Sequence, residues 1–318
     1  MGAAARIRPQ DLFSKEEWAR INHRSNFLGL GSVVHAWVII GLATALFAVF
    51  PNPLTLLLAV MTIGARQLGL AVLMHEAAHG GLSTNKKIND WVGNWLCGAP
   101  TGASLKNYRD YHLNHHKFAQ QEEDPDLGLA AHFPVTRKSL RRKIIRDLTG
   151  QTFFKQRAFQ FAGALGIDKR PAPGRENRTL SKRRAVYPFL ITNIVILAFF
   201  IAIGRWELFF LTWILPMATW FPLVTRLRNI AEHACLSAPE DPYKLARTTY
   251  SDPITAFFLA PYWVNYHCEH HMFMYVPFYN LRLAHRYLKK NGVTEKMEIK
   301  PSYYNVLALA SSREATAS

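Results

Sequence analysis

Thirteen histidines occur in this chain, and eight of them fall into three short clusters. These are His75-Glu76-Ala77-Ala78-His79, His112-Leu113-Asn114-His115-His116 and His267-Cys268-Glu269-His270-His271. Residues three or four apart lie on one face of a helix, so each cluster directs two or three imidazoles the same way. Imidazoles at that spacing suit a metal ion, and iron, copper and zinc all accept them. A ninth candidate lies in Asn229-Ile230-Ala231-Glu232-His233, where Asn229 and His233 share a helix face at the end of an apolar run. Eight or nine such ligands exceed what one ion takes and suit a pair of irons with positions open for oxygen. Beside a membrane, such a redox pair points to oxidation of a lipid chain. Acid–base groups alone cannot break an unactivated C–H bond, whereas O2 at a metal can.

By itself, His75-Glu76-x-x-His79 is the H-E-x-x-H pattern of zinc peptidases, in which Glu76 is the general base. An intramembrane zinc metalloprotease is therefore the rival from another enzyme class. Zinc hydrolysis needs about three protein ligands and one open position, which leaves the clusters at 112–116 and 267–271 without a role. A non-enzymatic membrane scaffold is the third reading, and it leaves all three clusters unexplained.

The elements that must position the clusters are apolar. Hydrophobic residues make up 49% of the 318 residues, but they are concentrated in four runs with the charges between them. The runs cover about 27–50, 54–74, 185–203 and 207–224, each near the roughly 20 residues that cross a bilayer core. They form two hairpins, turned at Pro51-Asn52-Pro53 and at Gly204-Arg205-Trp206. The turns carry almost no charge, whereas 80–184 is basic, with dense runs at Arg137 to Arg146 and Arg178 to Arg184. The positive-inside rule then puts both termini and all three clusters in the cytosol, on one membrane face, where they can share a site. The net charge of +16 implies contact with an anionic lipid surface, and docking of an acidic redox partner is compatible with it. Nothing resembles a nucleic-acid-binding motif.

The expected architecture is thus an all-α integral membrane protein with four transmembrane helices and a cytosolic helical cap holding a di-metal site. Residues 1–25 form a polar soluble segment, 26–310 a single membrane domain and 311–318 a disordered tail. In the first segment, Ser14 and Glu17 have capping-box spacing, which predicts a short helix through Trp18. Ile88 to Ala103 and Pro253 to Asn265 are too short to span and read as interfacial or membrane-dipping segments. Pro171 to Gly174 marks a flexible connection. No cleavable signal peptide opens the chain, and Arg6 breaks the myristoylation pattern after Gly2. Cys97, Cys235 and Cys268 have no C-x-x-C spacing, which fits a reduced, cytosol-facing site.

Several isolated residues have competing readings. Arg66 lies nine residues before His75, about 13 Å along a helix; it is either a functional cation paired with a carboxylate or a structural hydrogen-bond donor. His35 reads as a structural histidine bonded to a neighbouring helix. His23, His132 and His285 lack partners at ligand spacing and read as surface or structural residues. Cys268, Phe273, Tyr275, Phe278 and Tyr279 read as packing residues beneath the site.

The three clusters and two hairpins together resemble the membrane-bound fatty acid desaturase and hydroxylase superfamily. The resemblance runs from Phe27 to about Tyr287, and its three-box signature is highly specific. It implies a histidine-bound di-iron centre that uses O2 and two electrons from an external protein of ferredoxin or cytochrome b5 type with its reductase. Carried over by position, His75 and His79 match the first box, His112, His115 and His116 the second, and His267, His270 and His271 the third. His233 matches the extra histidine before the third box, and Asn229 a residue that holds a metal-bound water. The resemblance implies desaturation of a membrane-lipid acyl chain, with hydroxylation or ketolation of a carotenoid or other lipid as the alternative. The three residues between His75 and His79 resemble enzymes acting on lipid-linked acyl chains more than on acyl-CoA. A bacterial inner membrane is expected rather than the endoplasmic reticulum. Asp124-Pro125-Asp126 also looks familial; its aspartates either bond ligand imidazoles or cap a turn, and the turn is the expectation. Glu76, Glu232 and Glu269 adjoin ligands and are further candidates to support them.

Overall fold

The computed structural model describes residues 6–167, 178–238 and 240–314. The chain is helical almost throughout, and the regular sheet among the described residues is a two-residue parallel pair, Thr248–Thr249 with Ile299–Lys300. Among the described residues, four helices are long and apolar enough to cross a membrane: Lys15–Val49, Pro53–Ala78, Lys182–Ala202 and Trp206–His233. This fits a membrane protein, and their arrangement follows from their faces. The most apolar windows of the second and fourth are 61% and 56% buried, against 28% for each of the others. Val34, Val38, Leu42 and Leu46 on the first, and Ile191, Ile194, Val195 and Phe199 on the third, stand exposed. Such faces find a partner only in hydrocarbon.

The first hairpin turns where Pro53 starts a helix at a position needing no backbone donor. Asn52 caps that helix, its side chain accepting from the backbone of Leu54 and Thr55. Small residues then let the second span approach its neighbours. A Cβ on Gly64 would sit 2.7 Å from Trp220 Cβ, and one on Gly93 would sit 2.3 Å from Ala77 Cβ, so both contacts need glycine. Polar side chains join the spans. Gln67 Nε2 donates to Trp213 O (3.0 Å), Trp213 Nε1 donates to Asn193 Oδ1 (2.7 Å), and Trp37 Nε1 donates to Leu96 O (3.0 Å). The Trp37 and Trp213 rings stack with centroids 5.5 Å apart. In hydrocarbon these groups have no water to bond, so satisfying one another specifies the packing.

The fourth span differs from the sequence expectation. After a first α-helical turn at Trp206–Leu208 it passes through a π-helical segment, Phe209–Ile214, and kinks at Thr219 (φ −122°, ψ −73°) just after Pro216. It then continues as Trp220–His233, past Val224 where the apolar run ends. Beyond Val224 the helix is amphipathic and buries Leu227, Ile230 and Ala231, so hydropathy alone loses it while helical periodicity retains it. This extension carries His233 out of the spanning region towards the three clusters.

The cap is built from Leu105–Phe118, Arg137–Leu148 and Gln151–Ala164. Asp147 fastens it to the fourth span, accepting from Arg226 Nε (2.5 Å) and Nη2 (2.8 Å). Residues 86–101 form successive helical turns with a π segment at Gly93–Gly98, packed on the second span, with Cys97 buried. The N-terminal segment carries the capping box at Ser14 and Glu17. It lies on the third cluster, where Phe13 and Trp18 meet Phe273 at 5.2 and 5.8 Å between centroids.

Three further expectations are corrected or fall outside the described residues. Arg66 has no carboxylate partner among the described residues; its Nη2 donates to Phe257 O (2.5 Å) and its guanidinium lies over the Phe257 and Tyr262 rings. It is the structural donor of the two readings, closing the helix Pro253–Phe258. The tail is ordered at its start, because Ser312 bridges to Thr136 and Arg313 N donates to Val135 O (3.3 Å). Residues 315–318 and the connection at Pro171 to Gly174 lie outside the described residues.

Candidate metal centre

Each cluster is helical for a local reason. His75 sits in the last turns of the second span, and His79 is its C-terminal cap residue. The second cluster ends the helix Leu105–Phe118, and the third lies in the short helix His267–Met272. Before that helix the chain reverses through left-handed backbone at Tyr262 (φ 57°) and Trp263 (φ 54°), conformations that bulky residues adopt only when the surroundings impose them. Arg109 joins the first two clusters. Its Nη2 and Nε donate to Ala77 O (2.9 Å) and Ala78 O (3.0 Å), while Asp90 pairs with it at 2.5 Å. Burial raises the Asp90 carboxyl, but hydrogen bonds from Arg109, Lys86 and Asn89 outweigh it and hold the group at about 2. The clamp is therefore charged at any working pH.

All nine histidines converge, in two adjoining groups. His75, His79, His112, His116 and His270 form one; His115, His233, His267 and His271 form the other. Within each group the candidate ligand atoms lie within 4.8 Å of one another. The His116 and His271 rings link the groups, with centroids 4.4 Å apart.

The inward nitrogens are too crowded to be an ordinary hydrogen-bond network. His112 Nε2 lies 2.9 Å from both His79 Nε2 and His116 Nε2, and His116 Nε2 lies 2.9 Å from His270 Nε2. A neutral imidazole nitrogen either donates or accepts, so three successive contacts along four nitrogens leave at least one unsatisfied. His75 Nε2, also buried, has no hydrogen-bond partner among the described residues. In the second group His271 Nε2 lies 3.2 Å from His115 Nε2 and from His267 Nε2, and His233 Nε2 lies 3.0 Å from His267 Nε2. Two nitrogens each about 2.1 Å from one ion, at right angles, would be roughly 3.0 Å apart. The donor set therefore fits metal ions in both groups.

Six of these histidines are also held in the ligating protonation state. Burial, reinforced by neighbouring imidazoles and cations, holds His112, His116, His267, His270 and His271 well below the usual imidazole range. Burial, with Arg109 and Arg24 nearby, lowers His79 to about 3. Neutral imidazole is the ligating form. One consequence is measurable in metal-free protein. Unfolded histidine takes a proton near 6.5, while the folded site refuses it, so the unfolded state binds more protons below that pH. Stability should be fully present above about 6.5 and fall as pH drops towards 3, by about 1.4 kcal/mol per pH unit for each affected histidine. Melting temperature of chelator-stripped protein between pH 8 and 5 reads this; a rise on acidification would contradict buried neutral histidines.

The surrounding acids have different tasks. Asp124 is buried and accepts from His115 Nδ1 (2.8 Å), as well as from the backbone of Gln120 and Asp126 (2.8 Å each). It both caps a turn and orients an imidazole, so the expected turn is only half its role. Asp126 accepts from the Tyr111 hydroxyl and lies 3.7 Å from His115 Nδ1. Glu232 accepts from Arg228 Nε (2.5 Å), and its other oxygen lies 3.4 Å from His267 Nε2. Glu269 does not reach a box histidine: its partners are His285 Nδ1 (2.5 Å) and the Thr248 hydroxyl. Glu76 is buried and packs its carboxylate against Gly81, where a Cβ would meet Oε1 at 1.8 Å. No hydrogen bond or ion pair joins the Glu76 side chain to His75 or His79 among the described residues; the backbone of Phe278 bonds it instead. Glu76→Gln should therefore keep activity within roughly threefold of wild type, about 0.6 kcal/mol. A product assay checks this; a near-complete loss would restore the peptidase-type base.

Asn229 is half-buried and lines a small cavity with His112, His115, His233 and His267. His35 bonds the Tyr262 hydroxyl at 3.1 Å, His285 is buried between Glu269 and Tyr250, and His23 and His132 are exposed. Cys268 is buried, its Sγ 3.2 Å from Tyr243 O. Phe273 and Phe278 are buried as packing residues, whereas Tyr275 is 54% exposed and Tyr279 bonds Ser25 N at 2.6 Å. Three contributors escape sequence reasoning. Tyr108 stacks on His112 (5.2 Å, 11°) and Gln120 lies 3.2 Å from His233 Nδ1; Arg109 is the third. For Tyr108 a signal existed, since it precedes His112 by one helical turn. The other two contacts depend on how distant helices meet.

Comparison with known proteins bears on the same region. The family model described as Fatty acid desaturase matches residues 51–300. The chain is 28% identical over 234 residues to a dihydrorhizobitoxine desaturase of Bradyrhizobium elkanii, covering 72% of this chain and 66% of that protein. It is 25% identical over 267 residues to a chloroplastic omega-6 fatty acid desaturase of Brassica napus, covering 78% of this chain and 57% of the relative. The chain thus spans between 57% and 66% of the length of these relatives.

Proposed function

The chain belongs to the fatty acid desaturase family, and on that premise we propose that it is a desaturase-type oxidoreductase that introduces a double bond into a membrane-lipid acyl chain through an O2-dependent di-iron centre. The observation that carries this reading is the convergence of nine imidazoles, eight buried and His271 half-buried, into groups of five and four. A pair of irons held there would supply the O2 activation and hydrogen abstraction that amino-acid side chains cannot. The overall change is –CH2–CH2– plus O2, two electrons and two protons giving –CH=CH– and two waters. A single hydrolytic zinc would leave one whole histidine group without purpose, and Glu76 is turned away from the role of its base.

The protein's own residues provide the rest. The nine histidines would hold the metals, and Asp124 keeps His115 turned inward. Asn229 lines the edge where a metal-bound water and the substrate would meet. Electrons come from an external protein of ferredoxin or cytochrome b5 type, for which the basic run from Arg137 to Arg146 is a suitable landing surface. The basic loops favour a cytosolic face for the site and termini, with the same cations against anionic lipid, and our reading of the membrane is a bacterial inner membrane rather than the endoplasmic reticulum.

Metal content and lipid profiling test the proposal together. Purified protein should hold two irons per chain, and cells carrying the gene should contain a lipid with one more double bond than cells without it. A new hydroxyl or keto group would replace desaturation by the hydroxylase or ketolase alternative. One zinc per chain, or none, would overturn the di-iron reading altogether.

A further inference from the structure

We propose that the cavity beside the metal centre receives a substrate bearing a terminal oxyanion, a carboxylate or phosphate, and that Arg157 holds that group. This rests on the desaturase reading and specifies the substrate class for the same site. A cavity of about 310 Å3 extends from Asn229, which also lines the histidine edge, to Gln156 and Arg157. Its walls include Ala71, one helical turn before His75, and the apolar side chains Phe153, Met217 and Phe221. A second cavity of about 360 Å3 shares Gly102, Ala103, Gln156 and Arg157 with the first. The path is suited to a chain along its walls, but it carries a cation where a neutral hydrocarbon would want an apolar surface.

Two arginines line the first cavity, and their situations differ. Arg226 is neutralised by its two hydrogen bonds to Asp147. Arg157 has no carboxylate partner among the described residues. Its Nη1 donates to Gln160 Oε1 (2.6 Å), its Nη2 to Thr101 O (3.3 Å), and its Nε is buried without a partner. The guanidinium is held over the rings of Phe153 and Phe189, at 5.5 and 5.0 Å. Gly102 makes room for it: at φ +88°, a Cβ there would lie 1.8 Å from Nη1. Burial lowers Arg157 to about 10, so it stays charged at neutral pH. A guanidinium fixed by neutral acceptors and aromatic faces, beside a substrate-sized cavity and without a counter-ion, is preorganised for an anion that arrives with the ligand. The neutral carotenoid alternative leaves that charge unmet.

Binding tests this separately from catalysis. Iron-loaded full-length protein in detergent would be titrated calorimetrically with dodecanoate, dodecyl phosphate and 1-dodecanol. At least one oxyanion should bind roughly tenfold or more tightly than the alcohol. Which of the two binds tighter tells whether the source is a free acid or a phospholipid head. Arg157→Gln should remove the preference and Arg157→Lys should keep it. Equal affinity for the alcohol, or an unchanged preference in Arg157→Gln, would overturn the proposal. If Arg157→Gln does not fold, the comparison on wild type still decides. A protein that prefers the oxyanion yet forms no double bond would retain this inference and lose the desaturase reading.

Discussion

Replacing His270 with alanine is expected to abolish product formation, by a factor of at least 100, and to lower the iron content below two per chain. His270 comes from the third cluster but belongs to the group otherwise supplied by the first and second. Its Nε2 lies 2.9 Å from His116 Nε2, and its ring lies 4.4 Å from that of His75. Losing it removes one nitrogen of five and opens a buried gap among four imidazoles that remain uncharged. Weakening a residue that merely supports a ligand typically costs 10–100-fold, so loss of a ligand should exceed that range. Iron analysis alongside a product assay checks both halves. Full activity with both metals retained in His270→Ala would falsify the histidine-bound di-iron centre.

Asp124→Ala should have the second-largest effect, a roughly 10- to 100-fold fall in metal affinity or activity. The variant deletes the acceptor of the His115 Nδ1 hydrogen, which holds Nε2 inward towards His271. It also releases the backbone N–H groups of Gln120 and Asp126. Asp124→Asn separates the two roles. An amide oxygen in place of Oδ1 can still accept from His115 Nδ1 and Asp126 N, while the amide nitrogen costs Gln120 N its acceptor and the charge that raises ligand basicity is gone, so a loss smaller than in Asp124→Ala is expected. Iron titration of both variants decides; unchanged affinity in Asp124→Ala would leave Asp124 as a turn residue alone.

Much of this site was readable in the chain because its signals are local. Two or three histidines at i, i+3 and i+4 need only a helix to share a face, and each cluster lies where a helix forms. The four spans were readable for a similar reason, since bilayer thickness imposes a length on any apolar run. The exceptions involve a change of environment or distance. The fourth helix outlasts its apolar run, because beyond Val224 it is held by one amphipathic face and no longer by lipid. Glu269 adjoins a histidine in sequence but turns to His285, fifteen positions after His270. For Arg66 the sequence left an ion pair and a structural hydrogen bond both open, and the partner it found is a backbone carbonyl near the end of a helix that follows it by almost two hundred residues.

The H-E-x-x-H at His75 to His79 marks the division most clearly. The sequence by itself determined that imidazoles would be presented in helical sets at the ends of apolar runs, because spacing and hydropathy act within one element. Only the tertiary structure decided that these sets interleave, five nitrogens in one group and four in the other, with His270 and His271 assigned to different groups. It also decided that Glu76 packs on Gly81 while Asp124 supports His115, and that a charged Arg157 borders the cavity next to the metal edge. Those outcomes depend on how separate helices cross, and close packing between distant segments is what fixes where a long side chain can point.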